Sequence, residues 1–406
     1  MNAVATTAGH PDVLDGIGLP TKRDEAWRYA PHRLLAELTF GPPSGTPDDL
    51  TVDLDDRLPV LDGPRVVIVN GLVDPDRSHL TASREQDHLS GVEVFTRTSD
   101  GGAQGEPEVE VVDAYTALNV AYGTGGAVID VAAGASAETP IHVIDVAVPG
   151  DAANTSCTRV VIRLGAGSSA TVVESRIGVG NRFGGSNVHT SIDVGEDATL
   201  EYIVLQDLPV EQVHLSRTEI SQGARSTVRA RSFNLGASYG RLAYDVDLVG
   251  AGAVAELSGL FFGVGDQILD QQITVVHDAQ DCTSRQTFRG VLDDASTGVF
   301  NGGIDVCPGA DGTDAEQSND NLLLSNRAEV NTQPRLEILA DEVACKHGAT
   351  VGELDDTALY YLRSRGINVA DARRLLINGF ADQIVDDVGV EAVRTWITHR
   401  LGHDHD

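Results

Sequence analysis

The strongest constraint on the fold is a short glycine-containing turn that recurs at nearly constant spacing between β-rich segments. The turns are GASA at residue 134, GAGS at 165, GEDA at 195, GARS at 223 and GAGA at 250. They are 31, 30, 28 and 27 residues apart, and GADG at 309 follows 59 residues later, with HDAQDC (277–282) near the midpoint. Fixed spacing of strand, turn and strand indicates a stacked β-solenoid, whose coils bury a core only against their neighbours.

The segment before this repeat has a different pattern. Residues 19–40 predict a broken helix, because Thr21 can cap it and Pro31 interrupts it. Residues 64–73, PRVVIVNGLV, predict one buried strand. The polar, glycine-rich residues 74–110 give only weak signals and are assigned no element.

The apolar pattern becomes helical after residue 352. Asp355 is placed to cap a first helix and Gly366 to end it, and a second helix is expected from about Val369. A third helix carries an apolar stripe of Val390, Val393, Ile397 and Leu401. We expect these stripes to form intradomain core rather than a groove for a partner. The predicted regions are an N-terminal helical region (1–60), a strand with an irregular connection (61–110), a β-helix core (111–350) and a C-terminal helical domain (351–406).

Composition excludes several functions. The net charge of -32, from 61 acidic and 29 basic residues, argues against nucleic-acid binding, which needs clustered Lys and Arg. The only lysines, Lys22 and Lys346, do not lie in a phosphate-binding loop, so the chain lacks that route to ATP hydrolysis. No membrane span or signal peptide is evident, and the four cysteines form no C-x-x-C pair. We therefore expect a cytoplasmic protein in a reducing compartment, without membrane or nucleic-acid partners.

Several polar groups could carry chemistry, and each also has a simpler structural interpretation. The acidic pairs Asp245/Asp247 and Asp293/Asp294 are expected by chance in so acidic a chain. The first group of possible metal ligands, favoured as a solenoid turn, comprises His277, Asp278, Asp281 and Cys282. The second, favoured as adventitious, is the tail of His399, His403, Asp404, His405 and Asp406. Cys307, which precedes a proline, is expected to be a buried packing residue.

Cys345 and His347 lie two residues apart in ACKHGATVG. On an extended segment, residues i and i+2 face the same side, so a thiolate and an imidazole could point at one ligand or partner. On these residues alone, a polar structural segment remains the simpler interpretation.

A set of motifs in a fixed order favours a functional role for Cys345 and His347 over a purely structural one. The motifs are LPTKRDEAWRYA near the start, GVFNGGIDV (298–306), TDAEQSNDNLLLSNRAEVNTQPRLEI (313–338), ACKHGATVGELDDTALYYLRSRGI (344–367) and ARRLLINGFADQIV (372–385). Together they resemble the SufB/SufD family of the SUF iron-sulfur cluster assembly scaffold. The N-terminal motif and the C-x-H-G-A-T segment resemble the SufD type in particular.

The resemblance implies a mainly β protein with a right-handed parallel β-helix core flanked by N-terminal and C-terminal α-helical regions. It implies a non-catalytic scaffold that pairs with a SufB-type subunit and docks a SufC-type ATPase on its C-terminal helices. His347 corresponds to a histidine at the SufB-facing interface, where a transient iron-sulfur cluster is thought to form, and Cys345 to a nearby cysteine. Lys346 departs from the small residue usual between them, and could either lower the pKa of the Cys345 thiol or point to solvent.

Two alternatives remain at this stage. A stand-alone β-solenoid enzyme acting on acidic polysaccharide could use the Asp pairs, although the negative chain would repel a polyanion. A homodimer could bind iron through its His-rich tail.

Overall fold

A computed structural model describes residues 13–14, 16–47, 50–80, 91–97, 109–150 and 153–403. The helices are a 3-10 turn (Glu25–Trp27), α1 (His32–Leu35), α2 (Ala114–Tyr122), α3 (Asp356–Ser364), α4 (Val369–Val385) and α5 (Glu391–His403). The strands are β1 (Thr39–Phe40), β2 (Arg65–Val69), β3 (Leu72–Val73), β4 (Val92–Arg97), β5 (Gly126–Val131), β6 (Ile141–Ala147), β7 (Asn154–Leu164), β8 (Ser169–Gly178), β9 (Gly184–Val194), β10 (Thr199–Asp207), β11 (Gln212–Gln222), β12 (Thr227–Asn234), β13 (Tyr239–Leu248), β14 (Val254–Gly263), β15 (Ile268–His277), β16 (Thr283–Leu292), β17 (Thr297–Val306), β18 (Asp314–Leu323), β19 (Glu329–Ile338) and β20 (Ala344–Glu353).

From β5 onward, successive strands alternate between two sheets, and each sheet contains ten strands. Sheet A runs β19-β17-β15-β13-β11-β9-β7-β5-β4, with β1 on β7, and sheet B runs β20-β18-β16-β14-β12-β10-β8-β6-β2-β3. The pairs between coils are parallel and in register, as between β10 and β12. Each coil therefore adds one strand to each sheet, which confirms the predicted β-solenoid flanked by helices.

The recurring turns join sheet A to sheet B, and the structure explains why they are rich in glycine. In the turns at 165, 195, 223 and 250, the first residue lies against the turn of the preceding coil, so that a Cβ on Gly250 would lie 2.0 Å from the Ala224 amide nitrogen. The third residue of these four turns has a positive φ, 71° at Gly252 but also 58° at Asp197. Close stacking therefore requires glycine at the first position, whereas the third position tolerates other residues.

The helical turns of the N-terminal region lie on the outer face of sheet A, whereas Leu54 and Leu58 pack on sheet B. The predicted interruption at Pro31 is confirmed, with the 3-10 turn before it and α1 after it, but the predicted cap is wrong because Asp24, not Thr21, precedes the first turn. The Trp27 ring packs 3.9 Å from the Arg241 guanidinium, which also donates to the Ala26 carbonyl oxygen at 2.8 Å. Strand β4, in the segment left unassigned from sequence, pairs antiparallel with β5. Residues 81–90 and 98–108 of that segment lie outside the described residues.

The C-terminal helices begin where the sequence predicts. Asp355 accepts a hydrogen bond from the Thr357 amide at 2.8 Å and so caps α3, and Gly366 adopts φ 90° just beyond its end. Helices α4 and α5 then pack their apolar side chains on the outer face of sheet B, which confirms that the stripes are core. None of the helices in the described part of the chain has the length and apolar character that a membrane span needs.

Candidate functional site

Cys345 and His347 both lie on β20, the last strand of sheet B. The register pairs Cys345 with Ala315 and His347 with Gln317 on β18. Ala315 and Gln317 are buried residues of the solenoid interior, so Cys345 and His347 project from the interior-facing side of the last coil. The expectation that these two residues share one strand face agrees with this register.

The residue between them has a different environment. Lys346 lies on the opposite face of β20, where its Nζ is 2.9 Å from the Glu316 carboxylate on the neighbouring strand. This ion pair is largely exposed and so contributes little to stability. Lys346 is therefore held by an acidic partner outside the solenoid and does not activate the neighbouring thiol.

The Cys345 side chain is partly buried in a small apolar cluster. It packs against a buried cluster of Ile304, Val306, Ala310 and Ala315, to which Leu336, Ala340 and Val343 also contribute. Burial raises the pKa of the Cys345 thiol, and the Asp314 carboxylate adds to that effect. The thiol is thus protonated at neutral pH, and a metal ion would have to displace its proton.

His347 is exposed, and it stands at the open end of the solenoid. In the described residues, no strand pairs with the outer edge of β19 or β20, and both strands are ten residues long. The opposite end differs, because short or antiparallel strands, β3 and β4, close the two sheets there. Exposed apolar residues flank the open end, namely Ile338, Leu339 and Val351.

The predicted turn candidate, HDAQDC, is structural. His277 is fully buried inside the solenoid, where its Nε2 lies 2.8 Å from Ser284 Oγ and burial lowers its pKa to about 4. The Cys282 thiol is also buried and donates to the Gly250 carbonyl oxygen at 3.3 Å. Within the described ranges, no group of three or more His, Cys, Asp or Glu residues is placed to hold a metal ion.

The acidic pair Asp245 and Asp247 lines a groove of about 560 Å³ on the outer face of sheet A. Burial raises the pKa of Asp245 to about 6, while the Arg217 guanidinium, 2.9 Å away, opposes that rise. The second acidic pair, Asp293 and Asp294, does not line this groove. It lies in the turn between β16 and β17, where Asp294 has a φ of 52°.

The remaining candidate residues lie on other elements than β20, the strand that carries His347. Cys307 is partly rather than fully buried, because it begins the turn that follows β17, and burial raises the pKa of its thiol. His399 and His403 lie on α5, whereas Asp404, His405 and Asp406 are outside the described residues.

A set of buried amides next to the site was missed in the sequence. Gln286, Gln317, Asn319 and Asn321 are at most 2% exposed, and they lie in the interior of the last coils. Gln317, Asn319 and Asn321 lie on β18, which reads DAEQSNDN at its start, so both faces are polar and the usual alternation of apolar and polar residues does not indicate burial. In the sequence, the one sign of these buried amides is that Gln317, Asn319 and Asn321 recur at every second position and so share one strand face.

Comparison with known proteins agrees with these features. The family model for the SufBD core domain of SUF system FeS cluster assembly matches residues 147–380. The iron-sulfur cluster assembly protein SufD of Escherichia coli is 30% identical over 396 residues, covering 97% of this chain and 91% of that protein. An iron-sulfur cluster assembly SufBD family protein of Synechocystis is 28% identical, covering 95% and 87%. SufD of Bacillus subtilis is 29% identical, covering 78% and 70%. The chain therefore belongs to the SufBD family of the SUF system and takes part in iron-sulfur cluster assembly.

Proposed function

We propose that the chain is a SufD-type, non-catalytic scaffold subunit. In this proposal, its open coil pairs with a SufB-type subunit, its C-terminal helices dock a SufC-type ATPase, and His347 helps to hold iron or a nascent cluster at the junction. Iron and the cluster are cargo that the assembly builds and releases. The protein would work in the cytoplasm.

The observation that carries the proposal is the difference between the two ends of the solenoid. Two ten-residue strands with unpaired edges, β19 and β20, form one end, and closing strands form the other. Long exposed edges pair readily with other chains, and soluble proteins normally block or cover them. A second solenoid that continues both sheets would satisfy the free backbone groups and cover Ile338, Leu339 and Val351.

The donor set supports a shared rather than a private metal site. His347 and Cys345 offer one imidazole and one thiol from the same strand face, and both groups are suitable ligands for iron. Two donors leave an iron site incomplete, so the remaining ligands would come from the partner. His347 is the more accessible donor, because Cys345 is partly buried in its apolar cluster.

The C-terminal helices offer a second surface. Apolar and aromatic side chains remain exposed on α3 and α4 after these helices pack: Tyr360 is 74% exposed, Tyr361 56% and Leu375 51%. Exposed aromatic residues of this kind are enriched at protein interfaces. This surface is where we place the ATPase, which would supply the nucleotide chemistry.

Anaerobic co-purification with the host's SufB-type and SufC-type proteins tests the proposal. Wild type, His347→Ala and Lys346→Ala would be compared, with iron and sulfide quantified after cluster reconstitution. We expect all three complexes to assemble and only His347→Ala to lose most of its cluster. Lys346→Ala is the matched control, because Lys346 is an exposed residue on the other face of the same strand.

Three results would contradict parts of the proposal. Equal cluster yield in His347→Ala and wild type would remove the role of His347. A dimer of this chain alone that excludes the SufB-type subunit would show that the open coil pairs with a second copy. Retention of the ATPase by a Tyr360→Ser/Tyr361→Ser variant would remove the docking surface on α3.

A further inference from the structure

A pair of buried glutamines lies behind His347 in one column of the solenoid interior. In sheet B, Gln286 on β16 pairs with Gln317 on β18, and Gln317 pairs with His347 on β20. Gln286 is 1% exposed and Gln317 2% exposed. Successive strands lie about 4.8 Å apart, so side chains in such a column stack directly on one another.

The hydrogen bonds fix the direction in which both amides point. Gln286 lies 3.2 Å from the Gly303 carbonyl oxygen, which can only accept, so Gln286 must present its Nε2 there. The Gln286 Oε1 is then left to accept from the Gln317 Nε2 at 2.7 Å. The Gln317 donor therefore points away from the open end, toward Gln286 on the preceding coil.

This direction leaves one acceptor unused. The Oε1 of Gln317 is buried and has no hydrogen-bond partner among the described residues. A buried acceptor without a partner costs about 1–3 kcal/mol. The next residue in the column is His347, whose imidazole carries an N–H donor in every protonation state.

The glycine-rich strand opposite makes room for this arrangement. A Cβ on Gly302 would lie 2.1 Å from the Gln317 Nε2, so an alanine there would displace the amide. Gly302 belongs to the GVFNGGIDV segment of β17. The need for a glycine at this position is thus explained by the path of the Gln317 side chain.

We infer that Gln317 is a positioning residue for His347: its Oε1 accepts the N–H of one imidazole nitrogen and leaves the lone pair of the other nitrogen facing the open end of the solenoid. A metal-binding histidine commonly donates its second ring N–H to a fixed acceptor, which selects its tautomer and orientation. Gln286 in turn orients Gln317. The hydrogen bond is inferred from the unpartnered Gln317 Oε1 and from the register that places His347 next in the column, and its use in holding iron rests on the proposed function.

The neighbouring charges do not compete for the imidazole. Lys346 and Glu316 lie on the outer strand face and pair with each other. On the interior face, the β18 residues beside Gln317 are Ala315 and Asn319, which are uncharged. Two other titratable residues, Cys345 and Glu353, share this side of β20 with His347. The Cys345 thiol is neutral at neutral pH because its pKa is raised, and Glu353 lies at the far end of the strand.

Nuclear magnetic resonance of the full chain, labelled with ¹⁵N in its histidines, tests the inference. A His347→Asn variant identifies the His347 signals, whose shifts report the tautomer. Wild type would be compared with Gln317→Leu, which removes the acceptor, and Gln317→Glu, which keeps oxygen acceptors and adds negative charge. Gln271→Leu is the control, because Gln271 is also a glutamine 1% exposed in the interior but lies on β15, away from His347.

We expect Gln317→Leu to change the tautomer ratio of neutral His347 by roughly three- to tenfold, as the loss of one hydrogen bond implies. Gln317→Glu, which keeps an oxygen acceptor, should preserve the wild-type ratio, and Gln271→Leu should leave it unchanged. An unchanged tautomer ratio in Gln317→Leu overturns the inference. If Gln317→Leu does not fold, Gln317→Met, which removes the acceptor but keeps the length of the side chain, decides by the same criterion.

This readout is separate from cluster assembly. If the His347 signals respond as expected but His347→Ala loads a full cluster, the hydrogen bond is real and the proposed role of His347 is wrong. If cluster yield depends on His347 but the His347 signals are the same in wild type and in the Gln317 variants, the proposed role of His347 stands and the positioning inference fails.

Discussion

The buried ion pair inside the solenoid gives the sharpest test of how the polar interior contributes to stability. Glu174 and Arg176 lie two residues apart on β8, are 2% and 1% exposed, and approach to 2.8 Å. The Glu174 carboxylate also accepts from the Tyr202 hydroxyl at 2.8 Å and from Thr190 Oγ1 at 3.0 Å. Glu174→Leu would therefore leave a guanidinium and a tyrosine hydroxyl buried without their main partner.

The two single substitutions should not be equivalent. Arg176 cannot escape by losing its proton, because a guanidinium stays charged at neutral pH even without a partner, so we expect Glu174→Leu to cost about 3–5 kcal/mol. In Arg176→Met the Glu174 carboxylate keeps its hydrogen bonds from Tyr202 and Thr190, which makes the loss smaller, about 2–3 kcal/mol. The double variant should be more stable than Glu174→Leu alone, because it buries no unpaired charge.

Urea unfolding at pH 7, followed by circular dichroism, measures these effects without adding the salt that guanidinium would introduce. The m-value must stay constant across the four proteins, because coils of a solenoid can unfold separately. We expect a coupling free energy of at least about 2 kcal/mol between the two sites. Additive losses, or a double variant less stable than Glu174→Leu, would refute the reasoning.

Two further predictions concern the turns and the interior. Gly250→Ala should lower the free energy of unfolding by more than about 3 kcal/mol, because its Cβ would lie 2.0 Å from a backbone nitrogen. Gly252→Ala, whose Cβ would have its nearest atom 3.6 Å away, should lower it by about 1 kcal/mol because of the positive φ. Equal losses in thermal unfolding would contradict the stacking argument. Because burial lowers the His277 pKa from 6.5 to about 4, its stabilising contribution is complete above pH 6.5 and is lost as pH falls toward 4. Wild type should therefore lose about 3 kcal/mol relative to His277→Gln between pH 7 and 4, and a pH-independent difference between the two would rule this out.

The solenoid could be predicted because its turns impose a local requirement that the sequence records. Gly165, Gly195 and Gly250 each meet the backbone of the preceding coil, so the need for glycine recurs in the middle coils at the spacing seen in the sequence. The C-terminal helices were predictable for a similar reason, since Asp355 and Gly366 act within their own turns. Strand β4 pairs with β5 across about 30 intervening residues, and no local pattern specifies that contact.

The candidate site was predictable only in part. Alternation along β20 places Cys345 and His347 on one face, as expected from their spacing. Their difference in burial depends on the cluster of Ile304, Val306, Ala310 and Ala315, which belongs to β17, β18 and the turn between them. Gln317 acquires its role from Gln286, 31 residues earlier, and from the missing side chain of Gly302. Neither relation can be read before the register of the coils is known.

The open end of the solenoid, formed by β19 and β20, and the glutamine column of Gln286 and Gln317 both meet at His347. Apolar side chains in the last coils would fill the solenoid interior without any need for hydrogen bonds. The interior of these coils instead contains the buried amides Gln286, Gln317, Asn319 and Asn321. Buried amides are stable only where the backbone register aligns their partners, so they define one geometry for the last strands. A partner that extends β20 would then meet an imidazole whose orientation is already set. Under the proposed pairing, the edge that makes the isolated chain prone to association also delivers His347 to the junction in a form ready to bind iron.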